Sequence, residues 1–174
     1  MKKTFDETIN TLRELGLIYD DQSPRLPEAM PKFDDPDPCG FSIFRMGIED
    51  LDLSALDMRR TFFSRSEIVG CNFTDTDLAE SNMCWNDFIS VNFTRANLAG
   101  ADLRASIYEN TNFTECNLSS SDLRLAEFNN CIFTLANMQG AKLTKTAGEA
   151  LPLSIQQKKQ IDWQDTEGEE PSGG

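Results

Sequence analysis

The chain contains no histidine. That removes the commonest general acid–base and both the Ser–His and Cys–His nucleophile pairs. It also lacks a phosphate-binding glycine loop, a dinucleotide fingerprint and an HExxH metal motif. No apolar run is long enough to span a bilayer. The start, Met1-Lys2-Lys3-Thr4-Phe5-Asp6-Glu7, turns acidic before any apolar stretch, unlike a secretory signal. The five cysteines, Cys39, Cys71, Cys84, Cys116 and Cys131, fall at no metal-ligand spacing. An odd number of thiols without a signal sequence fits a reducing, cytoplasmic setting. Basic residues are the minority, 16 against 29 acidic, for a net charge of -13. Such a balance disfavours direct binding to nucleic acid. Neither metal nor cofactor is expected, and no enzyme, because catalytic carboxylate pairs need a cleft.

What the sequence does have is a period of five. From Ile43 to Leu143 every fifth residue is apolar, twenty-one positions in all, including Ile48, Leu53, Phe63, Phe73, Met83, Phe93, Leu103, Phe113, Leu123 and Phe133. A helix repeats every 3.6 residues and a strand every two, so neither produces this pattern. A fixed period held over a hundred residues means a repeat architecture whose units stack and cannot fold alone. A stacked coil displays surfaces and rarely encloses a pocket.

Each apolar centre has a consistent neighbourhood. Two residues earlier, from Thr61 onward, the side chain is small: Thr61, Ser66, Cys71, Thr76, Ser81 and so on to Ala141. One residue earlier it is usually Asp or Asn, as at Asn72, Asp77, Asn92, Asp102 and Asn117. Ala96-Asn97-Leu98-Ala99-Gly100 and Ala101-Asp102-Leu103-Arg104-Ala105 show the unit most plainly. The pattern resembles that of the pentapeptide repeat family and holds over residues 61–145.

The resemblance implies an all-β solenoid, a right-handed quadrilateral β-helix with the centre and the small residue pointing inward. Four pentapeptides then make one coil, and residues twenty apart stack. The sequence supports this on its own: Asn-Phe-Thr recurs at Asn72-Phe73-Thr74, Asn92-Phe93-Thr94 and Asn112-Phe113-Thr114. Phe73, Phe93, Phe113 and Phe133 should form one internal column, and Phe88, Tyr108 and Phe128 another. At about 4.8 Å per coil, five coils make a rod roughly 25 Å long. Cys84 should face outward, whereas Cys71, Cys116 and Cys131 take the small inward position. Phe41, Met46, Leu51 and Leu56 are large where the residue should be small, so the first coil is expected to be irregular or widened.

Three segments follow. Residues 1–40 form an N-terminal piece that caps the solenoid. Its Thr4-Phe5-Asp6-Glu7 matches a capping box; Phe5, Ile9, Leu12 and Leu15 form an apolar stripe ending at Gly16, and a loop carries Pro24, Pro27, Pro31, Pro36 and Pro38. Residues 41–146 form the β-helix. Residues 147–174 form a short helix, signalled by Ser154 and Gln157, and an acidic tail from Gln164 expected to be disordered. The resemblance implies that the C-terminal end can mediate dimerisation, which leaves monomer and homodimer both open.

Stacking by twenty also assigns outward residues to sides. One side, centred on Phe88, gathers Glu49, Asp50, Glu67, Asp87, Glu109 and Glu127 without a basic residue. Its neighbour, centred on Met83, carries Arg45, Arg65, Arg104, Arg124, Lys142 and Lys145 around an outward Trp85, opposed only by Asp102 and Asp122. The best candidate contact residues are therefore Glu49, Asp50, Glu67, Asp87, Glu109 and Glu127 on one side, and Arg65, Trp85, Arg104 and Arg124 on the other. Charge of one sign per side suits steered association with a protein, and Arg and Trp are frequent interface anchors. The expected function is a protein-binding scaffold, for example an immunity or self-protection protein that neutralises a toxin. The resemblance implies an alternative: mimicry of DNA on DNA gyrase or a related topoisomerase, protecting it from inhibitors. Against that, residues 41–145 hold fourteen acidic and nine basic residues, so much of the negative charge lies off the rod.

Overall fold

Each pentapeptide folds into one side and one corner of a square coil. The corner is the second residue after the apolar centre, and its backbone is left-handed: Asp75 at φ 60°, Arg95 at 55°, Glu115 at 56°, Leu135 at 57°. Only Gly70, Gly100 and Gly140 fill this place with the residue that prefers it. Elsewhere L-residues adopt it, at a cost of roughly 1–2 kcal/mol each. Hydrogen bonds between coils offset the strain, because most corner N–H groups donate to a carbonyl of the next coil. Asp75 donates to Thr94 (3.0 Å), Arg95 to Thr114 (2.9 Å) and Glu115 to Thr134 (2.8 Å). The Asp or Asn before the centre has a local task. Its side-chain oxygen accepts the N–H two residues on, at 3.1 Å for Asn92 and Thr94 and 3.3 Å for Asn97 and Ala99. These are Asx turns, which bend the chain toward the corner.

In this computed structural model residues 1–35 and 39–172 are described; Pro36 and Pro38 of the N-terminal loop, and Gly173 and Gly174, lie outside them. The elements run α1 (Phe5–Glu14), β1 (Ser42–Phe44), β2 (Gly47–Glu49), β3 (Phe62–Ser64), β4 (Glu67–Val69), β5 (Asp87–Ile89) and β6 (Ile107–Glu109). They continue through β7 (Glu127–Asn129), β8 (Lys142–Thr144), α2 (Lys145–Ala150), α3 (Ile155–Gln160) and β9 (Asp162–Gln164). All strand pairs are parallel with partners twenty residues apart, as in Ile68 with Phe88 and Phe88 with Tyr108. The longest sheet, β2-β4-β5-β6-β7, is one side of the rod. The rod is a solenoid of about six turns.

The bore is filled by the predicted columns. Phe73, Phe93, Phe113 and Phe133 stack with centroids 5.1, 5.4 and 5.0 Å apart. Phe88, Tyr108 and Phe128 stack at 4.9 and 5.0 Å. The two columns meet edge to face, as at Phe88 and Phe93 (5.7 Å, 63°), a geometry that aromatic rings favour.

The small position has a directional reason to be small. Its side chain reaches back along the rod to a carbonyl of the preceding coil, 23 residues earlier: Thr76 to Leu53 (2.6 Å), Ser106 to Met83 (2.7 Å), Ser66 to Ile43 (3.0 Å). The first coil has no predecessor. Phe41 and Leu56 are therefore free to be large, and they are buried, while Met46 and Leu51 pack on the same core. The expectation of an irregular first coil is corrected: Ile43 pairs with Phe63, Ile48 with Ile68 and Asp57 with Asp77, all at the regular spacing. The large side chains extend the core upward to meet α1, where Phe5 stacks on Phe41 at 4.8 Å. The capping box at Thr4 and Glu7 starts that helix. Beneath it the open coil edge is closed by Lys3 N–H to the Ala55 carbonyl (2.7 Å) and Asp57 N–H to the Thr8 hydroxyl (2.9 Å).

At the other end the spiral runs further than the repeats. Between β8 and β9, α2 and α3 take the place of pentapeptides, and β9 then pairs with β8 so that Leu143 stacks on Trp163. The Trp163 ring lies so close to Gly148 of α2 that a β-carbon there would stand 2.6 Å away. Gln157, from the capping box of α3, donates to the carbonyls of Phe133 (2.6 Å) and Ala136 (3.0 Å) near the end of the repeats. Cys84, expected to face solvent, is covered. Its Sγ lies 3.7 Å from the Asp102 carbonyl, and burial pushes its thiol well above the usual range, so it is not a reactive thiolate.

Candidate protein-binding sides

The five-stranded side holds the acidic candidates. Its register places Glu67, Asp87, Ile107 and Glu127 in one outward row and Glu49, Val69, Ile89, Glu109 and Asn129 in the other. Asp50 stands at the adjoining corner with φ 52°. Glu67 and Asp87 are direct neighbours, about one strand spacing apart. The rows are not continuous carboxylate, however. Ile107, 39% exposed, separates Asp87 from Glu127, and Val69 and Ile89 separate Glu49 from Glu109. This side is acidic and β-branched together, a mixture hidden by a count of charges alone.

Ion pairs distinguish the sides further. Among the described residues they join Arg59 to Asp57, Arg60 to Glu80, Arg95 to Asp75, Arg104 to Asp102 and Arg124 to Asp122. None involves Glu49, Asp50, Glu67, Asp87, Glu109 or Glu127. Glu67 and Asp87 therefore face each other as like charges with no cation between them, an arrangement that opposes stability.

The basic side differs from its sequence-level picture in two respects. First, its arginines are largely engaged. Arg104 grips Asp102 with two bonds (2.8 and 2.6 Å), and Arg124 grips Asp122 likewise (2.9 and 2.6 Å). Burial works to raise the Asp122 pKa, but the Arg124 side chain and N–H, with the charges of Arg124 and Arg104, outweigh it and hold the carboxyl below its usual range. Second, Trp85 is half-buried, not exposed. The segment after Gln164, expected to be disordered, folds back over this side, and the Trp85 indole N–H donates to the Pro171 carbonyl at 3.2 Å. Arg65 remains exposed. The residues missed were thus Val69, Ile89 and Ile107, whose places were readable from spacing, and Glu167, Glu169 and Pro171. Those three meet partners as much as 86 residues away, which no local pattern announces.

The other two sides are polar ladders. Asn97, Asn117 and Asn137 donate in turn to the residue twenty positions before, at 2.9–3.0 Å. The Asn72, Asn92 and Asn112 ladder interleaves with Thr74 and Thr94. Among the described residues no cluster of acidic or cysteine side chains is placed to hold a metal, and no helix is long and apolar enough to cross a membrane.

Fold and surface together define a four-sided parallel β-solenoid built from five-residue units. A family model described as pentapeptide repeats matches residues 49–83, 66–104 and 111–146, in 8 copies. The chain belongs to the pentapeptide repeat family. Solved structures of similar proteins include HetL from the cyanobacterium Nostoc sp. strain PCC 7120, involved in the regulation of heterocyst differentiation. It is 21% identical, with 57% of this chain and 48% of HetL covered at a TM-score of 0.35. The chain thus spans about half of HetL. Rfr23 from the cyanobacterium Cyanothece 51142 is 21% identical over 62% of this chain and 71% of its own, at 0.28. QnrB1, a plasmid-mediated fluoroquinolone resistance protein, is 18% identical over 72% and 88%, at 0.30. None of the curated proteins compared with the chain matches it. The family model carries the assignment, not these overlaps.

Proposed function

We propose that the protein is a non-enzymatic scaffold that binds another protein through its acidic side. The observation that carries this reading is the contrast in ion pairing. Among the described residues arginine pairs a carboxylate on the other charged sides and corners, yet Glu67, Asp87 and Glu127 have no ion pair there and stand on a rigid sheet beside exposed Ile107. A partner bringing Lys or Arg around an apolar contact would relieve the repulsion and cover the isoleucine, the composition of an interface core with a charged rim. A rigid rod also loses little conformational entropy on binding. Within this reading the specific role is immunity or self-protection, the partner being a toxin with a basic active surface.

Mimicry of duplex DNA on a topoisomerase is the second reading, favoured by the net charge of -13. A DNA mimic presents negative charge along a continuous surface, whereas this rod carries a side of arginines, and isoleucine interrupts its acidic rows. Capture from the native cell, with wild type and with a Glu67→Lys, Asp87→Lys, Glu127→Lys variant side by side, tests both. A partner held by wild type and lost by the variant supports the acidic side. If that partner is a topoisomerase whose supercoiling the protein inhibits, mimicry replaces immunity. A partner held equally by both proteins overturns the choice of side.

A further inference from the structure

The basic side of the rod already has an occupant. Beyond β9 the chain passes Glu167, Gly168, Glu169 and Pro171 along a column of stacked residues. Glu167 accepts the Leu125 N–H (2.8 Å) and the Thr144 hydroxyl. Gly168 lies against Arg124, where a β-carbon would stand 2.7 Å from Nη1. The Glu169 carbonyl accepts from Arg104 (3.2 Å), and the Pro171 carbonyl from Trp85 (3.2 Å). Alternate residues of the segment thus meet successive coils, the period of an extended chain. The segment is acidic, with Asp165, Glu167, Glu169 and Glu170. The side it covers carries Arg104 and Arg124, which keep Asp102 and Asp122 as their carboxylate partners while Arg104 also donates to the segment's main chain.

Little holds this strap down. From Asp162 to Ser172 only Pro171 is buried, and two of its contacts use main-chain carbonyls that any extended peptide carries. An element with few buried contacts opens locally at low free energy. Beside it lies a depression of about 380 Å³ lined by Trp85, Asp87, Ala105, Ile107, Leu125 and Glu170. We propose that the Trp85–Arg104–Arg124 side is a docking groove for an extended acidic segment of a partner protein, and that Glu167–Pro171 occupies it in cis as a stand-in ligand. The groove adjoins the acidic side, with Asp87, Ile107 and Glu127 lining the depression between them, so the protein would hold two parts of one partner on adjacent sides. Tethering gives the strap a large effective concentration, and a partner segment engages only by outcompeting it.

The test uses the full chain and a fluorescein-labelled peptide with the sequence of residues 164–172. Wild type is compared with a Glu167→Ala, Gly168→Ala variant, whose strap loses its carboxylate contact and meets the Arg124 guanidinium. The Trp85 indole N–H resonance, identified by its loss in Trp85→Phe, reports whether the strap is seated. The variant should shift that resonance and bind the peptide at least about tenfold more tightly than wild type. Binding should weaken with salt and on adding Trp85→Ala. Equal peptide binding with an unmoved Trp85 resonance would show that the segment does not occupy the groove. A shifted resonance without peptide binding, or binding indifferent to Trp85→Ala, would show a cover and not a docking groove. Unchanged melting of the variant confirms that the rod is intact in either case.

Discussion

Phe88 and Tyr108 stack one coil apart with centroids 4.9 Å apart and planes 1° from parallel, yet only Tyr108 carries a hydroxyl, and that oxygen is buried near Ser106 with no well-formed hydrogen bond among the described residues. Phe128 continues the column on the other side. The bore offers an aromatic slot, and the hydroxyl is an unsatisfied addition to it. Burial accordingly drives Tyr108 ionisation well above its usual range. Tyr108→Phe keeps the stack and removes the orphan oxygen, so it should stabilise the protein by about 1 kcal/mol and raise the melting temperature by roughly 2–4 °C. A fall in melting temperature would mean that the hydroxyl is satisfied, for instance by a trapped water.

Phe93 and Thr94 are adjacent in sequence and opposite in environment. Phe93 is buried between Phe73 and Phe113. The Thr94 hydroxyl donates to Asn92 (2.6 Å) and accepts from Asn112 (3.1 Å) on the outer ladder. Phe93→Ala should cost roughly 3–5 kcal/mol, as for a large core truncation, and loosen the coils on either side, because stability is shared between neighbours. Thr94→Ala should cost about 1–2 kcal/mol, the net contribution of its two partly exposed hydrogen bonds. Denaturant unfolding separates them, and equal effects would contradict the inward assignment.

Much of this was legible because the repeat is a geometric constraint written into every unit. Period five with stacking at twenty placed Phe93, Phe113 and Tyr108 in their columns, and the helix signals at Thr4 and Ser154 marked real caps. The failures share one cause: the sequence shows a residue's position in its unit but not what lies above it. Phe41 and Leu56 look like errors until the missing preceding coil is noticed. Trp85 and Cys84 hold outward positions, yet one lies under a strap arriving from Pro171 and the other is covered. The acidic side was legible in its charges. Its unpaired state was not, because ion pairing depends on which arginine reaches which carboxylate.

Leu135 tests the cost of the corners. It is 75% exposed and holds φ at 57°, so its side chain buries little while its backbone is strained. Leu135→Gly should therefore stabilise the fold by roughly 0.5–1 kcal/mol, reversing the usual penalty of glycine. Leu135→Ala, which keeps the β-carbon, should bring no such gain. Glycine at the inward Ala101 should destabilise, since its backbone is not left-handed and it is buried. Thermal melts of the three variants order them, and a destabilised Leu135→Gly would remove corner strain from the account.

The acidic side can be divided by kinetics. Glu67→Lys, Asp87→Lys and Glu127→Lys together should leave the melting temperature close to wild type, since none of the three is in an ion pair and exposed charges contribute little. Against a basic partner the same variant should associate more slowly and lose most of its salt dependence, because steering acts on encounter. Ile107→Ala should behave differently. It changes no charge, so association should stay as in wild type, while lost apolar contact raises the dissociation rate roughly fivefold or more. Surface plasmon resonance at low and high salt measures both constants for each variant. An Ile107→Ala protein that binds and releases like wild type would confine the interface to the charges. A triple variant with unaltered association would move the interface off this side altogether.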